Sequence, residues 1–560
     1  MPDIRGFTEK ITESAGSVVC KLSAIFKDKK QSPLCAKTAG EKLFDGVLRF
    51  VFFVLLAVAL YFVAFTNKPP NFTGDAYGYW LSSYHFVPEG GEFDFANFTS
   101  FARGYSISFM VFIFIKVGAF FGFEDPVCAY YFCNSIFVSA ILVYLAPYVF
   151  NRIFKKKYNY FSVLFFSVFF VAFWGGDLAH PLTDIPAICF IFISLAGYLK
   201  LDDGRLGLFA AFFCGAGAAL AYNLRQSYLI FFYAMLALTA LKLLFTREKH
   251  SFFGITRGIF GSLTEKAEKM HIAVRIAVNG LRKAIKLSAL LLGVVLVMLP
   301  QVAINHKHLN LPSWEVQTQY YSIAVENKNY PLLLFNAHGL STMQKVDFYV
   351  KDFPTHEIYA AIYPNTPHAE YQKLFNYEDY FSDVLKHPDW YLKSWINGAF
   401  LGMSVTYNTS YVTDLVSGFF ARLFTGHLLL SVFVVTVFYC IYKYFVTKNK
   451  RERAKHGFFC LAPTLAIILS GAVSCLTKME SRYLLPWYII VYGVIAFYCL
   501  ADFDLTLDSI KAHCKRALKF AIPVIVVFIL FEVWYFSLFG DNTLLVTALT
   551  EHYQWLKELL

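Results

Sequence analysis

Residues 47–80 read VLRFVFFVLLAVALYFVAFTNKPPNFTGDAYGYW, a long apolar run followed by a short polar loop. The apolar part, Val47–Phe65, has the roughly twenty residues that a helix needs to cross the hydrocarbon core of a bilayer. Just beyond it, Asp75 stands among glycine and aromatic residues where the chain leaves the membrane. A carboxylate at such a position is costly to bury and is a candidate functional group by default. The stretch therefore predicts a membrane helix with a candidate reactive group at its outer mouth.

Apolar runs of the same kind recur along the whole chain. Hydrophobic residues make up 57% of the 560 residues and charged residues only 16%, and short charged segments separate the runs. The formal charge of +11 would suit a nucleic-acid partner, but the Lys and Arg residues lie in the connections between runs. That placement is typical of orientation in a membrane. We predict an all-α polytopic membrane protein with about eleven transmembrane helices, outer juxtamembrane helices, a mostly helical extracytoplasmic cap and no nucleic-acid partner.

The apolar segment Ser106–Phe121 decides the topology. If it is counted as a span, the basic loop 151–157 falls outside, against the positive-inside bias. If it lies at the interface or re-enters the membrane, the cytoplasmic loops hold 24 Lys and Arg residues and the short outer connections hold five, so we prefer this choice. The predicted spans are then Val47–Phe65, Val127–Phe150, Tyr158–Trp174, Asp184–Leu199, Leu206–Tyr222, Ser227–Phe245, Leu287–Ile304, His427–Val446, Phe458–Leu476, Tyr483–Ala501 and Phe520–Phe539.

These spans divide the chain into regions. The eleven cysteines are scattered through the apolar runs and indicate neither a disulfide framework nor a zinc site. The polar amino terminus has no evident cleavable signal peptide and is expected to stay in the cytoplasm. The predicted regions are a cytoplasmic arm (1–46), an amino-terminal transmembrane catalytic module (47–304) with a basic amphipathic loop on anionic lipid (246–286), an extracytoplasmic domain (305–426), carboxy-terminal transmembrane helices (427–540) and an amphipathic tail on the outer surface (541–560).

Four short outer segments carry most of the remaining charge. They are the loop of Asp75 and Arg103, the segment 175–184, the segment 223–225 and the segment 478–482. Carboxylates and guanidinium groups at helix mouths are costly unless they pair with each other or meet a ligand. A site that needs both a base and an anion clamp uses this mixture, and a sugar linked to a lipid phosphate would place its phosphate at this depth.

The candidate roles follow from that hypothesis, and each has a structural alternative. A carboxylate would take the proton of an attacking acceptor hydroxyl, while cations hold the leaving lipid phosphate. Equally, the aspartates could cap turns or helices, and the cations could be interfacial anchors. The candidates are Asp75 and Asp184 for catalysis, Arg103, Tyr105, Arg225, Lys478 and Arg482 for the donor phosphate, and Tyr77, Trp80, Asp177 and His180 for the substrate pocket.

The motifs around these residues resemble the GT-C glycosyltransferases that use polyprenyl-phosphate sugars, such as protein O-mannosyltransferases and the lipid A aminoarabinose transferase. The matches are an acidic residue early in the first outer loop, an Arg-containing step before a surface helix, a Thr-acid-x-Pro helix start, an arginine at a mid-chain helix mouth and an Arg-Tyr-Leu-x-Pro step. They fall on Asp75, Arg103, residues 183–186, Arg225 and residues 482–486. The resemblance implies that Asp75 is the base and that the donor is used on the outer side.

The chain departs from that family's pattern in two places. The first loop has one acid where protein mannosyltransferases tend to have an Asp-Glu pair, so a protein acceptor becomes less favoured. The Asp502-Phe503-Asp504 step resembles a metal motif, but the predicted topology puts it in the cytoplasm. We therefore expect a reaction without metal or cofactor, and an acceptor that is a cell-surface glycan or a lipid-linked saccharide.

The sequence favours an inverting glycosyltransferase in the membrane, with the active site on the extracytoplasmic side of what is expected to be a bacterial cytoplasmic membrane. Its partners would be the polyprenyl-phosphate sugar, the acceptor and membrane lipids. A transporter or flippase of lipid-linked sugars is the main alternative, and it would need broken or polar helices at mid-membrane depth. A non-catalytic lipid-binding subunit would keep the arginines and tolerate the loss of Asp75.

Overall fold

The structure is a computed structural model. It describes residues 39–88, 91–99, 103–203, 206–245, 272–316, 382, 384–386, 388–405, 419–446, 462–473 and 481–537. The predicted cytoplasmic arm up to residue 38, most of the basic loop 246–286, most of the extracytoplasmic domain, the tail 541–560 and Lys478 lie outside these ranges.

The described chain is built from helices and their connections, and it contains no strand in those ranges. We number its α-helices in chain order: α1 Ala39–Thr66, α2 Gly74–Ser82, α3 Ser106–Phe120, α4 Pro126–Phe154 with a π-helical turn at Ile141–Leu145, α5 Tyr160–Trp174, α6 Asp184–Lys200 and α7 Gly207–Leu224. They continue as α8 Leu229–Phe245, α9 Ile272–Leu309, α10 Pro388–Gly402, α11 Phe419–Val446, α12 Ala462–Val473, α13 Leu485–Val494 and α14 Leu507–Ser537.

Nine helical segments in the described ranges are long and apolar enough to cross a membrane, so the chain is a polytopic helical membrane protein. They correspond to nine of the eleven predicted spans. The other two predictions fall on α6, which has 17 residues and is buried along most of its length, and on α12, of which twelve residues are described. The count of eleven spans stays a prediction.

The apolar helices expose much of their hydrophobic surface, as expected of a protein whose solvent is lipid. In α1, Leu60 and Ala64 are buried in the core, while Leu55 and Phe62 on other faces are exposed. The apolar stretch of α14 has no buried residue. Because lipid tails are themselves apolar, such faces cost nothing in a bilayer, and α-helices satisfy their backbone groups internally.

The centre of the bundle is a close-packed layer of three helices, α6, α7 and α9. Small residues of α7, in the run Cys-Gly-Ala-Gly-Ala-Ala at 214–219, let neighbouring backbones approach. Gly215 lies against the Leu290 carbonyl of α9, and Gly217 lies against the Phe190 carbonyl and the backbone of Ser194 in α6. Small residues at helix interfaces allow this close packing in membranes, where no hydrophobic force drives helices together.

The helix α3 has both ends at the same end of the bundle. The Ser106 amide and hydroxyl donate to Asn223 in the last turn of α7, over 3.0 and 2.6 Å. At the other end of α3, Gly118 packs on Ala129 in the first turn of α4. The start of α4 is tied to the segment after α1, because Lys68 binds Asp125 at 2.8 Å. This placement favours the interfacial or re-entrant interpretation, since a spanning helix would join opposite ends.

The end of the bundle where α1 and α7 terminate is called the Asp75 end, and the opposite end is rich in lysine. At this opposite end, Lys242 donates to the Tyr198 carbonyl and Lys286 to the Leu201 carbonyl, each at 2.8 Å, where α6 terminates. Cations near a helix carboxy terminus interact favourably with its exposed carbonyls. This end also holds Lys156, which binds Asp502 at 2.7 Å.

Candidate functional site

The site lies at the Asp75 end, where four connections between helices meet. Asp75 is in the first turn of α2, and Asp184 is the first residue of α6. Arg225 follows the last residue of α7, and Arg482 is in the short 3₁₀ turn at Ser481–Leu484 that leads into α13. Because the first turn of α2, the starts of α6 and α13 and the end of α7 lie together at one end of the bundle, residues more than 400 positions apart become neighbours.

Arg482 connects the two aspartates. Its Nη2 donates to Asp75 Oδ2 at 3.2 Å, and its Nη1 lies 3.8 Å from Asp184 Oδ2. Arg225 makes a close ion pair with Asp184 by donating from Nη1 to Oδ1. Asp184 Oδ2 has no hydrogen-bond partner among the described residues. The order of charges is therefore Arg225, Asp184, Arg482 and Asp75.

Two tyrosines that were not predicted hold the arginines in place. Arg103 donates from Nε to the Tyr79 hydroxyl at 2.9 Å. The guanidinium of Arg225 lies 4.2 Å from the centre of the Tyr483 ring, and that of Arg482 lies 5.5 Å from it. Cation–π contacts favour this stacking. A sequence signal existed for Tyr79, because residues four apart on a helix share a face and Asp75 is four positions earlier.

The Arg103 segment is fixed by the residue that follows it. Gly104 packs so closely against Asn223 that a Cβ at position 104 would overlap the Asn223 backbone and side-chain oxygens. Asn223 is completely buried, and its Nδ2 donates to Gln301 of α9 at 3.1 Å. The Arg-Gly-Tyr step at 103–105 thus requires glycine for close approach to the end of α7. This requirement explains how a loop arginine reaches the site.

The two carboxylates differ in their access to solvent. The Asp75 side chain is 43% exposed, whereas those of Asp184 and Arg482 are 5% and 7% exposed. A ligand that approaches the Asp75 end can therefore contact Asp75 directly, while Asp184 is enclosed by its arginine partners. The hypothesis that Asp184 is itself a base is not favoured by this position. Its contacts are those of a residue that positions Arg225 and Arg482.

The arginines also change the acidity of Asp75. Burial alone would raise the pKa of its carboxyl, but the guanidinium groups of Arg482, Arg103 and Arg225 outweigh burial and hold the pKa below its ordinary value. Burial lowers and Tyr79 and Asp75 raise the pKa of Arg103, with a net increase. These groups are therefore charged at neutral pH. The formal charges of the three arginines and two aspartates sum to +1.

The predicted pocket residues have different surroundings. Tyr77 is exposed on α2, and Asp177 and His180 are buried rather than solvated. Trp80 packs on Phe72 with ring centres 5.0 Å apart, and the Phe72 ring is 6.3 Å from that of His180. Phe72, Trp80 and His180 therefore form one aromatic cluster, which joins the loop and helix that carry Asp75 to the segment between α5 and α6.

Tyr105 has a packing role in this structure. Its hydroxyl donates to the Val297 carbonyl of α9 at 2.8 Å, and its ring packs edge-on against Phe95. Burial raises the pKa of the Tyr105 hydroxyl to about 12. This arrangement does not favour the prediction that Tyr105 binds the donor phosphate. Lys478, the remaining predicted phosphate ligand, lies outside the described residues.

The Asp-x-Asp step lies at the opposite end of the bundle from Asp75. Asp502 binds Lys156 there, and Asp504 accepts from the Thr506 amide at 2.8 Å, which is the bond of a local turn. In the described ranges, no group of three or more His, Cys, Asp or Glu side chains is arranged to hold a metal ion. Because it lies at that opposite end, the Asp-x-Asp step is far from Asp75, Arg103, Arg225 and Arg482.

Comparison with models of known protein families, with curated proteins and with solved structures gives no match to the chain. The likeness to GT-C glycosyltransferases therefore rests on the short motifs alone and stays a prediction.

Proposed function

We propose that the protein is an integral membrane glycosyltransferase. It would transfer one sugar from a polyprenyl-phosphate donor to a hydroxyl of an extracytoplasmic glycan or lipid-linked saccharide, with inversion at the anomeric carbon. The observation that carries the proposal is the partly exposed Asp75 carboxylate beside the guanidinium groups of Arg103, Arg225 and Arg482, at one end of a bundle of membrane-length helices. A base next to an anion clamp is what this reaction requires.

In the proposed reaction, Asp75 accepts the proton of the acceptor hydroxyl while that oxygen bonds to the anomeric carbon. The bond between this carbon and the phosphate oxygen breaks, and polyprenyl phosphate leaves with one additional negative charge. The guanidinium groups of the cluster would hold the leaving phosphate, because their fixed fork of N–H donors matches phosphate oxygens. The polyprenyl tail would remain in the hydrocarbon, with the phosphate at the level of the helix ends.

The charge of the cluster agrees with such a donor. A phosphodiester between a sugar and a polyprenol carries one negative charge, and the five described charged groups of the cluster sum to +1. Burying an ion is costly unless an opposite charge compensates it. A monoanionic ligand would bring the cluster to neutrality, whereas an uncharged or a dianionic ligand would not.

The test is sugar transfer by the purified protein in nanodiscs, with a panel of polyprenyl-phosphate sugars as donors and a bacterial cell-envelope extract as acceptor. We expect transfer by the wild type and a loss of about 10²–10⁴-fold in Asp75→Asn, because a general base is removed. The matched control is Asp125→Asn, which alters a carboxylate paired with Lys68 outside the cluster. Equal transfer by Asp75→Asn and the wild type would refute the role of Asp75.

A transporter or flippase of lipid-linked sugars is the second candidate, and one observation favours it. His427 in α11 binds Glu532 in α14 at 2.8 Å through Nδ1, and its Nε2 lies 2.9 Å from the Ser404 hydroxyl. The pair lies inside two membrane-length helices, where ionisable residues are rare and serve proton relays in transporters. Translocation of a fluorescent lipid-linked sugar in proteoliposomes, abolished by Glu532→Gln, would support this candidate.

A further inference from the structure

The position of Asp75 creates a conflict with its proposed role as a base. Three guanidinium groups lower its pKa, and a carboxylate with a lowered pKa is a weak proton acceptor at neutral pH. The same arginines are the phosphate clamp of the proposed reaction. The conflict disappears if the ligand itself changes the surroundings of Asp75.

Arg482 is the residue whose contacts allow such a change. Its bond to Asp75 is 3.2 Å long, and its contact with Asp184 is 3.8 Å, so neither is a short bidentate pair. Short charge-assisted bonds between arginine and carboxylate are about 2.7–2.9 Å long. Arg225, in contrast, pairs with Asp184 and has two further contacts: its Nε donates to Ser227 at 3.3 Å, and its guanidinium lies 4.2 Å from the centre of the Tyr483 ring. Arg225 and Asp184 form a fixed unit, and Arg482 lies between this unit and the more exposed Asp75.

We propose that Arg482 exchanges partners when the donor binds, leaving Asp75 for the phosphate and so releasing Asp75 to act as the base. Asp184 stays paired with Arg225 and keeps the Arg482 guanidinium within reach of both positions, so Asp184 is a positioning residue. This inference rests on the proposed function and assigns the order of events in that site. No covalent bond changes in this step: one ion pair breaks and another forms.

Two physical consequences follow from the exchange. The phosphate neutralises the charge of Arg482, so the attraction that lowered the pKa of Asp75 weakens and the carboxylate becomes a better proton acceptor. Asp75 and the phosphate compete for Arg482, because the ligand must displace Asp75 to reach that guanidinium. Removing the Asp75 charge should therefore strengthen phosphate binding while it abolishes transfer.

The experiment is a double-mutant cycle of phosphate binding with the full chain in nanodiscs. The probe is a polyprenyl methyl phosphate, a monoanionic phosphodiester without a sugar, and polyprenyl alcohol is the baseline. We expect Asp75→Asn to tighten binding of the probe about three- to tenfold in the wild-type background. In an Arg482→Gln background the gain should be much smaller, because the exchangeable partner is absent and only the weaker attraction of Asp75 to Arg103 and Arg225 remains. Arg482→Lys, which keeps the charge without the fork, provides a second background.

The outcomes separate exchange from a general charge effect. A similar gain in both backgrounds, or a similar gain in the control Asp125→Asn, would show that removing any nearby negative charge suffices and would overturn the exchange. No gain in Asp75→Asn would also overturn it. Failure of the proposed function is distinguishable, because binding could follow the cycle while no sugar is transferred. Absence of probe binding above the alcohol baseline would overturn both.

Discussion

Arg482 is the residue that joins the charged groups of the site into one unit. It is buried, it contacts both aspartates, and its guanidinium lies over the ring of its neighbour Tyr483. Buried ion pairs add little stability when intact, but the loss of one partner leaves an uncompensated charge in a dry environment. Substitutions at the fixed Arg225–Asp184 pair and at the exposed Asp75 should therefore have different consequences.

Asp184→Ala should destabilise the protein by about 3–5 kcal/mol, because it leaves Arg225 and Arg482 buried without their shared carboxylate. Thermal unfolding of the purified protein in detergent measures the effect. Asp94→Ala is the control, since Asp94 is exposed, lies 3.7 Å from Lys307 and accepts only a local bond from the Ala96 amide, so its removal should cost about 0.5–2 kcal/mol. Equal melting temperatures for the two variants would contradict the role of Asp184 as the shared carboxylate of Arg225 and Arg482.

The lowered pKa of Asp75 predicts a pH dependence of stability. Because the folded state binds the Asp75 proton less tightly than the unfolded state, the carboxylate contributes stability above its ordinary pKa of 3.8. This contribution is lost as the pH falls through the lower folded value. We expect the wild type to have a higher melting temperature than Asp75→Asn near neutral pH, and the difference to disappear as the pH falls below the ordinary pKa of 3.8 and through the lower folded pKa. A constant difference down to the lowest pH would argue against ion pairing of Asp75.

At the scale of helices, the close contact of α7 with α9 sets the position of Arg225. Gly215 faces the Leu290 carbonyl across this contact, so a side chain at 215 would separate the two helices. Such a separation would also move the end of α7, from which Arg225 and Asn223 extend into the site. The helix contact and the site are therefore linked through one rigid element.

Gly215→Ala should destabilise the protein by about 1–3 kcal/mol, because the Leu290 backbone cannot move aside cheaply. Gly280→Ala is a matched control within α9, since a Cβ at that position meets no atom within 4 Å. It should be neutral or stabilise the helix slightly, as alanine is the better helix former. The melting temperatures of the two variants test this contrast, and equal values would mean that the α7–α9 contact tolerates a methyl group.

At the scale of the whole molecule, the charges of the two ends indicate an orientation. The end opposite Asp75 holds Lys156, Lys242 and Lys286, and the predicted topology places that end in the cytoplasm. The proposed reaction needs the Asp75 end on the other side, where the acceptor is located. Orientation in the membrane is therefore a condition of the proposed function.

Labelling with a membrane-impermeant maleimide tests the orientation in intact cells. Cys514 is an exposed natural cysteine in α14, near the end opposite Asp75, and in a variant whose other ten cysteines are serine it should react only after the membrane is permeabilised. Tyr84 is exposed in the 3₁₀ turn after α2, so Tyr84→Cys in a variant whose eleven natural cysteines are serine should react in intact cells. The reverse pattern would place the Asp75 end inside and exclude an extracytoplasmic acceptor.

Much of the architecture was predictable because it depends on local properties of the chain. The length of an apolar run decides whether a helix can cross a bilayer, and nine of the eleven predicted spans correspond to membrane-length helices in the described residues. The distance of Asp75, Arg225 and Arg482 from the nearest span was likewise readable along the sequence, so their location at helix mouths could be inferred. Hydropathy and charge act over a few residues, and the sequence by itself determines them.

The pairing within the site was decided only by the tertiary structure. Asp75 and Asp184 are equivalent as residue types at helix starts, but packing leaves the first partly exposed and encloses the second between Arg225 and Arg482. In the same packing, the Tyr105 hydroxyl donates to the backbone of α9, and Arg103 donates to the Tyr79 hydroxyl. These outcomes depend on how helix ends from distant parts of the chain approach each other within a few ångströms. No local pattern encodes that approach, because it results from the close packing of several helices at once.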